Sequence, residues 1–295
     1  MLHDKSPANP GGLESDVPAD SPEEFLQYLN PQASQWEWPA NRPAWLFRGQ
    51  GDATWALRPT VLRDRDALAE FGVPLAGDSV SHLDEALRES VMIFERGLYE
   101  AGLPLPRLPE TGGGVFVTHS PYVGVFYADE ILLMTRARHH GLPTIILDWS
   151  TRAYVATYFA VTARLEAEAK GDKTLSSRMA VWALDASKNG FGERGRLSLH
   201  RAPGWTNPNM LAQSGRFTHL RADDADPCKN TVDGFVAGEK AAGRAEPLLR
   251  RVTVDAKHAR VLLRRLAFEG VTGATMFPGA DGVVRAMREE ALWTK

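Results

Sequence analysis

The sequence predicts a mixed α/β fold of the α+β type, in which short apolar strands alternate with longer amphipathic helices. Two observations indicate this class. Apolar runs of strand length are bounded by Gly, Pro or polar residues, and the segments between several of them repeat their apolar residues with a helical period. A third observation argues against a Rossmann fold: long polar excursions interrupt the order, and neither a Gly-x-Gly-x-x-Gly turn nor a Walker A sequence follows a strand.

The helices are predicted from periodicity and from capping residues. Ser21 can cap a helix that has Pro22 at its first position, and Glu24 completes a capping box. Segment 79–101 repeats its apolar residues near the helical period at Leu83, Leu87, Val91, Phe94 and Leu98. Further helices are predicted over 121–139, 152–169, 256–269 and 280–292.

The remaining segments are predicted as strands, loops or disorder. Strands are predicted over 44–48, 144–148, 179–184, 216–220, 249–254 and 272–277. Residues 1–18 are rich in Pro, Gly and acidic side chains, so they are predicted to form a disordered tail before a single domain over 19–295. Loops or excursions are predicted over 101–118, 186–211 and 222–247.

Composition narrows the class of protein. Of the 295 residues, 43% are hydrophobic, which is enough for a large core in one domain. The net charge of −3 favours neither a nucleic-acid nor a membrane partner. A single cysteine, Cys228, excludes an internal disulfide and a cysteine-rich metal site. No long apolar run or leader segment is present, so we expect a cytoplasmic protein.

Two segments, 45–63 and 139–160, place polar residues directly after apolar strands. These residues are Arg48, Gly49 and Gln50 in the first segment and Asp148, Trp149 and Ser150 in the second. A strand that serves only the core has no need to end in this way, so these strand ends are the candidate functional site.

Arg48 and Gly49 are residue types suited to contact with an anion. A guanidinium offers a planar fork of donors for phosphate or carboxylate and stays charged at any pH. A glycine lets the backbone approach a ligand closely. The alternative is that Arg48 pairs with Asp148 and holds the domain together.

Asp148, Trp149 and Ser150 also have two interpretations. Asp148 or Ser150 can cap the helix that follows, or the amides at that helix start can hold an anion. Trp149 can supply a flat wall for a planar ring, or it can belong to the core.

Two further positions are candidates. His139 and His140 are adjacent and cannot face the same side, so they do not indicate a metal site, and one of them can cap the end of a helix. Gln213 can bond a ribose hydroxyl or an amide, or it can bridge the backbones of two loops.

Four blocks of the sequence resemble the FRG domain, named for the tripeptide that stands here as Phe47, Arg48 and Gly49. The first block continues through Gln50, Trp55, Leu57, Pro59 and Arg63. The second contains His140, Gly141, Leu142, Pro143, Thr144, Leu147, Asp148, Trp149, Ser150, Ala156, Phe159 and Ala160. The third contains Gln213, Gly215 and Phe217, and the fourth contains Met276, Phe277, Pro278, Asp281 and Gly282. The blocks occur in the family's order over about residues 20 to 290.

The same pattern is similar, more distantly, to the ADP-ribosyltransferases. This resemblance implies a split β-sheet core with surrounding helices and NAD as a substrate, without a metal. It implies that Arg48 and Gly49 meet NAD, that Ser150 lies beside it, and that Gln213 stands where a glutamate orients the ribose. The implied catalytic residues are Arg48, Ser150 and Gln213, and the implied NAD-binding residues are Arg48, Gly49, Gln50, His140, Asp148 and Trp149.

Two functions therefore stay open. One is an NAD-dependent ADP-ribosyltransferase or NAD glycohydrolase of a bacterial toxin or defence type, acting on a protein or nucleic-acid acceptor. The other is a non-catalytic module that binds a nucleotide, a nucleic acid or a protein. The glutamine at position 213 bears on this choice, because it lacks the carboxylate expected to orient and deprotonate an acceptor.

Overall fold

The computed structural model describes residues 13–36, 45–64, 66–105, 122–123, 126–186, 190–191, 196–201, 208–223, 230–243 and 248–293. The strands are β1 (Ser15–Ala19), β2 (Trp45–Gln50), β3 (Tyr122–Val123), β4 (Phe126–Tyr127), β5 (Ile146–Ser150), β6 (Arg178–Asp185), β7 (Gly190–Phe191), β8 (Leu197–His200), β9 (Gly215–Leu220) and β10 (Leu249–Asp255). The helices are α1 (Pro22–Tyr28), α2 (Val80–Glu100), α3 (Ala128–His139), α4 (Ala153–Ala169), α5 (Pro208–Ala212), α6 (Val232–Ala241), α7 (Ala259–Phe268), α8 (Gly273–Met276) and α9 (Ala280–Trp293).

An eight-stranded sheet organises the described part of the chain, in the order β1-β10-β6-β2-β5-β9-β8-β7. The edge pair β1 and β10 is parallel, and the other neighbours are antiparallel. Strands β3 and β4 form a separate two-stranded sheet. The fold is therefore mixed α/β, as predicted.

Helices cover both faces of this sheet. On one face α4 and α7 pack on the central strands, and α2 and α3 pack against Ile146 of β5 and Phe217 of β9. On the other face α6 packs on Trp149 and Trp182. This arrangement follows from the two-residue alternation of each strand, which sends neighbouring side chains to opposite faces.

Most predicted elements are confirmed. The strands that begin near 44, 144, 179, 216 and 249 correspond to β2, β5, β6, β9 and β10, and the helices near 79, 152, 256 and 280 correspond to α2, α4, α7 and α9. The helix start at Ser21 is also confirmed, because Ser21 Oγ accepts the Glu24 N–H at 3.1 Å. The helix predicted over 121–139 begins only at Ala128, after β3 and β4.

The strand predicted over 272–277 is wrong, because this segment forms the one-turn helix α8. Thr272 caps the turn, and Thr275 bonds back to the Thr272 amide, so a reciprocal capping box closes it. Local side-chain bonds here override the β-branched and apolar residues between Val271 and Phe277 that resembled a strand.

The predicted disordered tail is also wrong over its last residues. Residues 15–18 belong to β1, which adds in parallel to β10. Asp16 pairs with Arg251 at 2.5 Å, and Glu14 pairs with Arg250 at 2.5 Å. The sheet edge and these ion pairs order a segment whose composition alone indicates disorder.

Two predicted excursions contain regular structure as well. Segment 186–211 includes β7, β8 and the start of α5, and segment 222–247 includes α6. Segment 106–118 lies outside the described residues. Within the described ranges, none of the helices has the length and apolarity needed to cross a membrane.

Candidate functional site

The sheet separates between β2 and β5. These strands are in register at a single described pair, Phe47 and Ser150. Beyond this pair the Arg48 side chain bridges the gap, since its Nη1 donates to the Asp148 main-chain oxygen at 2.7 Å and lies 3.5 Å from Oδ2. A guanidinium therefore replaces a strand-to-strand backbone bond at this position.

Arg138, at the end of α3, completes a charge centre that we define as Arg48, Arg138 and Asp148. Arg138 binds the Asp148 carboxylate through two nitrogens: Nη2 donates to Oδ2 at 2.6 Å, and Nε donates to Oδ1. Its third nitrogen, Nη1, donates to Thr60 Oγ1 at 2.7 Å. The Asp148 side chain is 43% exposed, whereas those of Arg48 and Arg138 are 12% and 15% exposed.

The electrostatics of the charge centre keep Asp148 ionised. Burial raises the pKa of the carboxyl group, but the guanidinium groups, Arg138 first, outweigh burial and hold its pKa below the ordinary value. Two guanidinium groups and one carboxylate leave a net charge of one positive unit. The centre therefore favours an additional anion over an additional cation.

His139 lies beside the charge centre. It is near enough to Asp148 for each side chain to shift the pKa of the other. Burial lowers the pKa of its imidazole, so the ring is neutral near pH 7, and its edge meets the Phe217 ring at a centroid distance of 6.2 Å. Two buried nitrogens here, Arg48 Nε and His139 Nε2, have no hydrogen-bond partner among the described residues. Such atoms are uncommon, because buried polar groups are normally bonded.

Ser150 and Gln213 meet at the neighbouring end of the sheet. Ser150 Oγ donates to the Gln213 main-chain oxygen at 2.8 Å and accepts the Arg152 amide at 3.0 Å. The Gln213 side chain reaches the other way, and its Nε2 donates to the Met276 oxygen at 3.0 Å. These bonds join β5, the start of β9 and α8.

The FRG domain family model matches residues 127–169, which include α3, β5 and α4. This segment is similar to an FRG domain. The matched segment contributes Arg138, His139, Asp148 and Ser150 to the site. No curated protein and no solved structure matches the chain.

Gly49 of the FRG tripeptide faces helix α4 rather than an open cleft. A Cβ atom built there would lie 1.9 Å from the Ala156 oxygen and 2.6 Å from the Ala160 nitrogen. The space that the glycine leaves is therefore taken by the helix backbone. Its predicted role of admitting a ligand on this side is replaced by close strand–helix packing.

Gln50 and Trp149 are hydrogen-bonded within the core of the fold. Gln50 is buried, its Nε2 donates to the Ala56 oxygen at 3.1 Å, and its Oε1 accepts from Trp182 Nε1 at 2.6 Å. Trp149 is 3% exposed and donates to Thr218 Oγ1 at 2.9 Å. It packs on the α6 face of the sheet, so its ring is part of the core and forms no wall for a planar ligand.

His140, the histidine favoured from the sequence, does not join the charge centre. It is exposed after the end of α3 and lies beside Phe94 of α2, with ring centroids 6.5 Å apart. The structure brings His139 and Arg138 to Asp148 instead. Arg138 and His139 could be suspected from the sequence because they stand just before the Gly-Leu-Pro turn that leads into β5. The sequence did not reveal which of these side chains point toward Asp148.

A cavity of about 310 Å³ lies beside the start of α2. Thr60, which bonds Arg138, is followed by Val61 and Leu62, which line the cavity together with the start of α2. A second, more open groove of about 750 Å³ follows the exposed side of α2. Among the residues lining these two, none is a site residue predicted from the sequence.

The geometry agrees with only some of the contacts expected from the sequence. Arg48 Nε lacks a hydrogen-bond partner among the described residues and is a donor for an anion, whereas Gly49 packs against α4 and Trp149 lies in the core. Within the described ranges, no three His, Cys, Asp or Glu residues lie close enough together to hold a metal ion.

Proposed function

We propose that this FRG domain uses NAD as a substrate, as an ADP-ribosyltransferase or an NAD glycohydrolase. The observation that carries the proposal is the adjacency of β2, β5 and β9, because the three segments that the ADP-ribosyltransferase resemblance assigns to NAD lie on β2, on β5 and directly before β9. They are brought together from sequence positions far apart: Arg48 and Asp148 are separated by 100 residues, and Ser150 and Gln213 by 63.

The separation of β2 from β5 supports the same proposal. Where the two backbones diverge, the contacts across the gap are made by the Arg48 guanidinium. A gap with guanidinium nitrogens on its side is a reasonable place for a phosphate group, since such nitrogens form short, charge-assisted bonds with phosphate oxygens.

NAD supplies an ADP-ribosyl group whose bond to nicotinamide breaks when water or an acceptor attacks the ribose. In this proposal Arg48 and Arg138 hold the pyrophosphate and offset its charge. Ser150 keeps the Gln213 backbone next to β5, and Gln213 lies beside the ribose. The residues orient the substrate, while the acceptor is water, a protein or a nucleic acid.

Asp148 and Gln213 are both poor general bases for removing a proton from the acceptor. Asp148 is held ionised by two arginines and is therefore a weak base. Gln213 has no carboxylate, and its amide nitrogen is bonded to Met276. We therefore expect slow turnover. This feature also favours the second candidate, a non-catalytic nucleotide-binding module, in which the same contacts bind the ligand without reaction.

Titration calorimetry with NAD and with ADP-ribose, followed by an assay of nicotinamide release, tests both candidates. Binding with release supports the enzyme, and binding without release supports the module. The absence of binding to either compound contradicts both.

Gln213→Glu tests the catalytic arrangement. The two side chains are nearly isosteric, and the new carboxylate restores a base, so we expect faster nicotinamide release. Gln213→Ala should lower any turnover, by roughly 1–3 kcal/mol of activation free energy for a lost buried hydrogen bond. Gln27→Glu, on the exposed side of α1, is the matched control and should change neither binding nor release. If both Gln213 variants fold and behave like the wild type, Gln213 lies outside the site.

A further inference from the structure

His139 and Arg48 share an unusual property next to the same carboxylate. Each has a buried nitrogen that lacks a hydrogen-bond partner among the described residues. Both side chains interact electrostatically with Asp148, whose oxygens are already engaged by Arg138. The two unused nitrogens are therefore features of one place in the fold, between the end of α3 and the split of the sheet.

Two such nitrogens beside one carboxylate are costly to the folded state. A buried donor without an acceptor destabilises a protein, and an apolar side chain of similar size would remove that cost. The imidazole makes an edge contact with Phe217 that a leucine or a phenylalanine would also satisfy. Keeping a histidine here is therefore explained better by an acceptor that arrives with a ligand.

We propose that His139 Nε2 and Arg48 Nε donate hydrogen bonds to a phosphate group of the bound ligand, which makes His139 a ligand-contacting residue of the FRG domain. The proposal rests on the proposed function, because it places the pyrophosphate of an NAD-like ligand at the charge centre. Arg138 holds the Asp148 carboxylate through two hydrogen bonds and adds positive charge beside the phosphate. The ligand class is a nucleoside diphosphate, and the same contacts are absent for a nucleoside without phosphate.

The test compares three variants by calorimetric titration with ADP-ribose and with adenosine, together with the melting temperature of each. His139→Leu removes the donor. His139→Gln keeps a nitrogen donor at a similar reach. His258→Leu is the matched control, because His258 also has a buried Nε2 without a partner among the described residues but follows β10, three strand positions from β5.

We expect His139→Leu to weaken ADP-ribose binding by at least about tenfold, the effect of one lost charge-assisted hydrogen bond, while adenosine binding is unchanged. His139→Gln should recover most of the affinity. Both leucine variants should melt at or above the wild-type temperature, because each removes an unsatisfied buried atom. His258→Leu should bind ADP-ribose like the wild type.

Three results would overturn the inference while leaving the proposed function intact. They are wild-type affinity in His139→Leu, an equal loss for adenosine and ADP-ribose in that variant, and a loss of ADP-ribose affinity in His258→Leu as large as that in His139→Leu. If the wild-type protein itself binds no ADP-ribose, the proposed function fails first, and this inference fails with it.

Discussion

At the scale of single residues, Gly49 determines how closely strand β2 can approach helix α4. Its Cα faces the helix backbone, and the nearest atoms to an added Cβ are main-chain atoms, which cannot rotate away as a side chain can. The strand–helix contact also aligns Phe47 with the α4 core and Arg48 with the split of the sheet. A glycine that looks like part of a binding motif thus positions the arginine beside it.

We expect Gly49→Ala to lower the free energy of unfolding by about 3 kcal/mol, because the added methyl group overpacks a backbone contact. Gly97→Ala in α2 is the control: outside the backbone of its own helix, no atom of the described residues lies within 4 Å of its Cβ position. Alanine is also the better helix former, so a gain of roughly 0.5–1 kcal/mol is expected. Urea unfolding of both variants measures the difference. Equal effects of the two substitutions would show that Gly49 is not a packing constraint.

At the scale of elements, Glu289 attaches helix α9 to the rest of the fold. The side chain is buried, and it accepts hydrogen bonds from Tyr158 of α4 at 2.5 Å and from the Gly273 amide of α8 at 2.8 Å. Burial and the neighbouring carboxylate raise the pKa of Tyr158 above its ordinary value, so it stays a donor. One carboxylate therefore joins three helices, including α8, whose Met276 oxygen holds Gln213.

Glu289→Ala should destabilise the protein by about 3 kcal/mol, because it leaves a buried hydroxyl and a buried amide without an acceptor. Glu290→Ala, at the neighbouring exposed position, should change stability by no more than about 0.5 kcal/mol. Hydrogen exchange of α8 and α9 should quicken in the first variant alone. Unchanged exchange in Glu289→Ala would exclude the carboxylate as the attachment point.

At the scale of the whole molecule, histidines on strands β8 and β9 make stability depend on pH. Burial lowers the pKa of His219 to about 3 and that of His200 to about 4, from an ordinary value of 6.5. The unfolded chain therefore binds more protons than the folded one between these values, so the free energy of unfolding falls as pH decreases below 6.5. The lowered pKa of Asp148 also stabilises the folded state, but this stabilisation is fully present above about pH 3.8. It is therefore lost only at lower pH than the histidine effect.

We expect stability to be constant between about pH 7 and 8 and to decline by on the order of 2 kcal/mol per histidine by about pH 4.5. Urea unfolding at several pH values measures this decline. His219→Gln should lower the slope of the free energy of unfolding against pH by the equivalent of about one proton, even if the variant is less stable at pH 7. A stability that stays level from pH 7 to 4.5 would contradict the assignment of buried neutral histidines.

Local patterns in the sequence were sufficient for most of the secondary structure. The alternation of strands and the period of helices are properties of neighbouring residues, so β2, β5, β6, α2 and α4 could be recognised without tertiary contacts. Where a local apolar run conflicted with capping, as in α8, or where a polar segment was ordered by a distant strand edge, as in β1, the same reasoning failed.

The chemistry of the candidate site divides in the same way. The residue types at the two strand ends, including an arginine and an aspartate, were visible in the sequence because they follow apolar runs. Their partners were not: Arg138 and His139 come to Asp148 through the packing of α3 on β5, and Gly49 turns to α4 through the register of β2. Which side chain meets which depends on pairing between segments up to 100 residues apart, and no local period encodes the geometry of such a contact.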